Sequence, residues 1–546
     1  MSNEIPKMST RYKDLCRTFA RERIFTLILT KTNSTMKKFI YATLALAAVL
    51  LFASCKNDKN QPKAEAGDAY VSFTFNLPQG GFRDGVADKN AKDTYEGTVA
   101  EQAINAVRVV LYDPSSGAAK YSFDYNITGT GSAVPEGDGL ATNPAEAATK
   151  ARFTTKAKEV ESKDYLMLAI INPTQKVKGA TAEGKTLLDA QAAVETSATE
   201  LSAAGIMMSN EQGLVKVAPA NMKDAADAAE QAPVKVNVDR ILAKVFVGTT
   251  AQSGTPDLPE NVTFTDIKWQ LNTTNKKTFI YRQFGQVVTA KDNFVAEAAG
   301  DNSLRFNRYA QDPNFSGAFN AADFEYVEGT PTLNGTFGYA DANGQYCLEN
   351  TMAAASQTVQ QTTSFILSGT WTPVGHHQMT FAKGDTWYSY QGWTFTVAKM
   401  KACIAEAKDA SKDAAQEIVG MPVGFKAALK ALLKEANCPV ADDGTIKNSS
   451  FVAHDIKGYK DGVCYYQSNL IRHFNDDQSS AVMGYGRYGV VRNNIYKINI
   501  TKISQPGEPT VVPDKDNPGK DDPSKVYVSF DVTINPWIVR TQDISL

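Results

Sequence analysis

Apolar and polar residues alternate with a period of two in short runs along most of the chain, and turn residues separate the runs. In the first half the runs are INAVRVVLYDP (104–114), KYSFDYN (120–126), DYLMLAIINP (164–173) and VKVNVDRILAKVFV (234–247). VTFTDIKWQL (262–271), KTFIYRQF (277–284), TSFILSGTWTP (363–373), VCYYQSNLIRHF (463–474) and VVRNNIYKINITKI (490–503) follow. A period of two with Val, Ile, Tyr and Phe enriched predicts half-buried strands. Three stretches change to a helical rhythm: TLLDAQAAVETSATELSAA (186–204), KMKACIAEAKDASKDAAQEI (399–418) and GFKAALKALLKEA (424–436). Regular short strands with long connections predict a mainly β fold, sandwiches carrying helical insertions. The long run at 234–247 is the expected junction between an N-terminal sandwich over 84–236 and a C-terminal one over 237–503.

One strand pattern is present twice. YVSF stands at 70–73 and again at 527–530. Aligned without a gap, YVSFTFNLP faces YVSFDVTIN, so Val71, Phe73, Phe75 and Leu77 correspond to Val528, Phe530, Val532 and Ile534. Four apolar positions match at strand period, with small or polar residues between most of them. Ahead of the second copy lies SQPGEPTVVPDKDNPGKDDPSK (504–525), rich in Pro, Asp and Lys. That composition predicts an extended linker that could span roughly 60 Å in polyproline geometry. Residues 526–546 then read as a last pair of strands.

The chain of 546 residues is 43% hydrophobic, enough for a sizeable core, with 57 Lys and Arg against 59 Asp and Glu. A net charge of −2 without a basic stripe argues against a nucleic-acid partner. Met36 opens MKKFIYATLALAAVLLFASCKNDKN, with Lys37 and Lys38 before an apolar core from Phe39 to Ala53. This is a secretory signal by charge and length. Residues 1–35 are polar and charged and lie upstream of it, so translation is expected to start at Met36 and the earlier residues to be a gene-model extension. The signal peptide is 36–54. Its end resembles that of bacterial lipoproteins, which implies Cys55 as the lipidated mature N-terminus, carrying palmitate or a similar acyl chain. Beyond Cys55 four cysteines remain, Cys347, Cys403, Cys438 and Cys464, none at CxxC spacing. Export permits disulfides, and Cys403 with Cys438, bracketing a helical stretch, is the favoured of the three pairings.

Chemical motifs are advertised without their context. GATAEGKT (179–186) fits the phosphate-loop spacing, but the preceding strand does not run into it. GYGRYG (484–489) precedes a strand instead of opening a helix. His376, His377, His454 and His473 form no H-E-x-x-H, and no G-x-S-x-G occurs. No catalytic residue, metal site or cofactor is expected. Trp387, Tyr388, Tyr390 and Trp393 could stack on sugars, but they alternate as core residues do.

The stretch VVRNNIYKINITKI, the Pro/Asp-rich linker and YVSFDVTINPWIV resemble the C-terminal end of fimbrillins of the Bacteroidota, the shaft subunit of the shorter fimbriae above all. YVSFTFNLP followed by a Gly-flanked Arg, GIMMSN (205–210) and VDRILAKV fit the same family in order. The resemblance implies two transthyretin-like β-sandwich domains and export as an outer-membrane lipoprotein. It implies that a surface protease cuts between Arg83 and Asp84, removing a propeptide (55–83) that includes the first strand. Donor strands at 526–546, with Val528, Phe530, Val532, Ile534 and Trp537, would replace that strand in a neighbouring subunit. The implied partners are identical subunits in a homopolymer, anchor and tip proteins, the processing protease and an adhesion receptor. Arg83 lies in PQGGFRDG, a glycine-rich stretch suited to proteolysis. Two other readings are an anchor or tip subunit and a glycan-binding surface lipoprotein.

Overall fold

The computed structural model describes residues 68–76, 97–126, 138–140, 152–211, 213–283, 309–315, 318–353, 356–375, 379–411, 416–473, 487–518 and 538–545. All of them belong to one compact unit that begins at Ala66. Among the described residues the N-terminal half forms a nine-strand sheet. Its order is Ala119–Tyr125, Val107–Tyr112, Tyr165–Ile171, Met208–Asn210, Val234–Arg240, Phe73–Asn76, Arg152–Thr155, Gly139–Leu140, with Val215–Val217 paired to Tyr165–Ile171. Phe73 and Phe75 share one core with Val107, Val109, Leu111, Met167 and Ala169 from strands far along that order. The sheet therefore curls so that strands from its two parts share one core.

The C-terminal half packs two four-strand sheets. One has the order Gln345–Leu348, Leu242–Gly248, Asn494–Lys502, Ile538–Ser545; the other Gly335–Thr336, Thr263–Asn272, Ser364–Thr372, Val463–Leu470. Val245, Val247 and Ile498 from the first meet Trp269, Leu367 and Tyr466 from the second. The crossover between halves falls at Ile241, between strands Val234–Arg240 and Leu242–Gly248. A third core joins the halves: Val110, Leu168 and Ile170 pack with Leu242, Phe246, Leu348 and Ile495.

Between Thr372 and Val463 an inserted module holds a four-strand sheet and helices Val397–Lys408 and Phe425–Leu433. Its own core contains Tyr388, Tyr390, Phe395, Met400, Leu429 and Ile456. Trp387 is buried and stacks on Tyr459 with ring centroids 3.8 Å apart. Three of the four candidate sugar-stacking aromatics are therefore core, and Trp393 is half-buried.

Several expectations change. The helix read at 186–204 is two short helices, Leu187–Gln191 and Ala198–Ser202, because Thr186 and Ser197 each cap a new helix start. Of the described residues in 277–283, only Lys277–Thr278 form a strand. The phosphate-loop spacing straddles the end of helix Gln175–Ala180 and the Thr186 cap, a connector between helices. Cys403 and Cys438 are not bridged; Cys347, Cys403, Cys438 and Cys464 are all free thiols. Burial pushes the Cys347 and Cys464 thiols up to about 12. The expected open linker is docked over its first part, where Glu508 pairs with Tyr465 and Val511 with Gly329.

Candidate assembly site

The first strand is held on both sides. Phe73–Asn76 pairs in parallel with Val234–Arg240, Val234 opposite Phe73 and Asn237 opposite Asn76. On its other side Thr74, Phe75 and Asn76 face Thr154, Phe153 and Arg152 in antiparallel register. The preceding segment Asp68–Val71 pairs with Lys158–Glu161, and Tyr70 exchanges backbone hydrogen bonds with Lys223 at 2.7 and 2.9 Å. Val71, Phe73 and Phe75 are each 0% exposed, and the Phe75 ring stacks on Phe153 at 4.9 Å. Burying three such side chains is worth roughly 5–9 kcal/mol.

The opposite face of this strand is also buried, which alternation did not reveal. Ser72 Oγ donates to Thr155 O at 2.7 Å, and the Thr74 and Thr154 hydroxyls lie 2.7 Å apart. The Phe73 amide donates to Thr155 Oγ1 at 3.1 Å. Withdrawing residues 68–76 would leave an apolar trough lined by Phe153, Val234 and Val236, with unpaired backbone along three strands. Such a gap is a template for an extended segment from elsewhere. Of the predicted residues, Val71, Phe73 and Phe75 fill this slot. Cys55, Leu77, Arg83, Asp84, Val528, Phe530, Val532, Ile534 and Trp537 lie outside the described residues.

The far end of the tail is placed. Strand Ile538–Ser545 runs parallel to Asn494–Lys502, with Asn494 opposite Ile538 and Ile500 opposite Ile544. It occupies the edge of the C-terminal sheet.

VDRILAKV and VVRNNIY are brought together as a buried polar junction beside the crossover. Arg492 Nε lies 2.8 Å from Glu349 Oε2, with the two side chains 2% and 0% exposed. Arg282 pairs with Asp239 at 2.9 Å, and Asn493 Nδ2 donates to Asp239 Oδ1 at 3.0 Å. Lys244 meets Glu101 at 2.7 Å, both 2% exposed. Burial pushes the Glu101 carboxyl up, but Lys244, Tyr346 and the Thr98 amide outweigh it and hold the group below the usual carboxylate range. Burial pulls the Arg492 guanidinium down while Glu349 opposes the shift. Paired buried charges of this kind fix relative position more than they add stability. Sequence reasoning missed Glu101, Arg282 and Glu349, whose partners lie far away in the chain.

Among the described residues no group of three or more His, Cys, Asp or Glu is placed to hold a metal ion. The arrangement around the first strand favours strand pairing.

Residues 457–543 match the family described as major fimbrial subunit protein type IV, fimbrillin, C-terminal. Two sequences of the minor fimbrium subunit Mfa1 of Porphyromonas gingivalis are 26% and 25% identical to the chain, each alignment covering 90% of it and 96% of the relative. Among solved structures, a fimbrilin from Porphyromonas gingivalis W83 aligns at 13% identity and a TM-score of 0.32, over 87% of this chain and 97% of that one.

Proposed function

Because this chain belongs to the fimbrillin family of the Bacteroidota, we propose that it is a shaft subunit of a surface fimbria that polymerises by donor-strand exchange. The observation that carries the proposal is the first strand, wedged between Val234–Arg240 and Arg152–Thr155 with Val71, Phe73 and Phe75 fully buried, and copied in the tail. The precursor is exported under the signal at 36–54 and lipidated at Cys55 in the outer membrane. Proteolysis between Arg83 and Asp84 releases the first strand. The tail of a neighbour then places Val528, Phe530, Val532 and Ile534 where Val71, Phe73, Phe75 and Leu77 had been, with Trp537 following. Each subunit accepts at one end and donates at the other. The contact is heterologous and does not close, so it yields a filament. Anchor and tip proteins complete the fibre, which serves adhesion.

The experiment is a truncation. A chain ending before Val526 should be exported, cleaved and folded, and should remain monomeric. Long fibres from the cleaved, tail-less chain would refute donation by the tail. In parallel, labelled fatty acid should enter the wild type and not Cys55→Ala; equal labelling would remove the lipid step.

A further inference from the structure

The segment that joins the body to the tail is not a free tether. Residues 504–517 lie across the C-terminal sandwich as a strap. Tyr466 Oη donates to Gln505 O at 2.8 Å and Tyr459 Oη to Gly507 O at 3.0 Å. Glu508 and Tyr465 exchange two backbone hydrogen bonds, both 2.8 Å. Val511 and Gly329 exchange two more, at 2.7 and 2.9 Å, and the Val511 side chain enters a small core with Val327, Leu333 and Ile366. The strap thus leaves the end of strand Asn494–Lys502 in one sheet and fastens along Val463–Leu470 in the other.

Its last turn is locked. Asp514 is 1% exposed, and its Oδ2 accepts from Asn272 Nδ2 at 2.8 Å, Ser364 Oγ at 3.1 Å and Thr273 Oγ1 at 3.2 Å. Thr273 has φ 54°, a left-handed conformation that β-branched residues avoid. Gln360 Nε2 donates to Lys515 O at 2.6 Å just beyond. A buried carboxylate fed by three donors is costly to withdraw, since each donor would lose its partner.

We propose that this strap is a tension anchor, with Asp514 as its lock: it fixes the root of the tail to the donating subunit and takes the pull of the next subunit before the sandwich does. This rests on donation by the tail. In such a fibre strand Ile538–Ser545 has left the edge of its own sheet for the neighbour, so all tension between neighbours passes through the tail and arrives first at Asn517 and Asp514. With the lock closed, the pull is shared among Asn272, Ser364 and Tyr465 on three strands of one sheet and Gln360 and Gly329 in the loops beside it. With it open, the strap peels back and up to roughly 45–50 Å of chain is released, and the pull falls directly on the end of strand Asn494–Lys502.

Two variants reach the strap at separate points. Asp514→Ala removes the lock. Gly507→Ala sets a Cβ 2.2 Å from Tyr465 O and lifts the middle of the strap. In the full chain, hydrogen exchange at the amides of Tyr465, Glu508, Val511 and Gly329 should accelerate at least about tenfold in either variant, the scale of one lost buried hydrogen-bonding partner. All other amides in the strands of both sandwiches should stay protected. Fibres of the variants should assemble to wild-type length at rest and break to shorter fragments in calibrated flow. Unchanged exchange in Asp514→Ala would show that Asp514 locks nothing. Faster exchange with wild-type resistance to flow would show that the strap carries no tension, and the proposal would fall with tail donation intact. Fibres formed by the tail-less chain would refute the earlier reading and this one together.

Discussion

If the first strand is a removable plug, weakening it in the uncleaved chain should open the slot without any protease. Phe75→Ala is the sharpest perturbation. The ring is fully buried, lies 4.9 Å from Phe153 and sits opposite Val236 in the ladder. Truncating a buried Phe removes transfer energy and leaves a cavity, about 3–5 kcal/mol together. Val71 and Phe73 are untouched, so most of the plug's apolar hold remains. The plug competes with any added strand for the same slot, so the loss shifts that competition by roughly two to three and a half powers of ten. The assay uses uncleaved precursor and a labelled peptide of residues 526–546, followed by anisotropy and native gel. The wild-type precursor should take up little peptide, and Phe75→Ala should take it up readily. Leu168→Ala is the matched control. Leu168 is equally buried but packs in the core between the two halves, away from the slot. It should lower the unfolding midpoint by a similar amount without promoting capture. If Phe75→Ala lowers stability as the control does while capture stays at the wild-type level, the slot under the first strand is not where the tail enters.

Other expectations follow from the same geometry. Arg83→Ala should hold the protein as a lipid-attached monomer, checked by N-terminal sequencing and electron microscopy of surface extracts. In the tail, Phe530→Asp corresponds to Phe73 and should abolish polymerisation by placing a charge in the trough. Asp531→Thr restores the residue found at Thr74, whose hydroxyl meets that of Thr154, and should polymerise normally in the same gel assay. Glu349→Gln leaves Arg492 buried without its countercharge and should cost about 3–5 kcal/mol, read from denaturant unfolding. A cost below about 1 kcal/mol would mean that water or another group compensates Arg492.

The strands were legible because apolar, β-branched and aromatic residues crowd into short runs between turn residues: VRVVLY, YLMLAII and SFILSGTWT all lie where that composition put them. The pattern misled where composition and local capping disagree. The Ala-rich stretch at 186–204 has helical propensity throughout, but Thr186 and Ser197 each satisfy the free amides of a separate helix start. The strap was missed for the opposite reason. Prolines and charges read as solvated linker, and nothing local marks Asp514 as buried, because Asn272 lies 242 residues away. The slot was half legible. Val71, Phe73 and Phe75 declared one face, while Ser72 and Thr74 gave no sign that Thr154 and Thr155 cover the other.

The crossover at Ile241 has a consequence for mechanics. Strands Val234–Arg240 and Leu242–Gly248 follow each other with one residue between them, and a shared apolar core and paired buried charges clamp both sides of that residue. The shared core and the ion pairs resist hinging at that residue. In the fibre proposed above, bending is then expected to concentrate at the joints between subunits. The persistence length of the fibre is then a property of the joints, tunable by changes there without touching either sandwich.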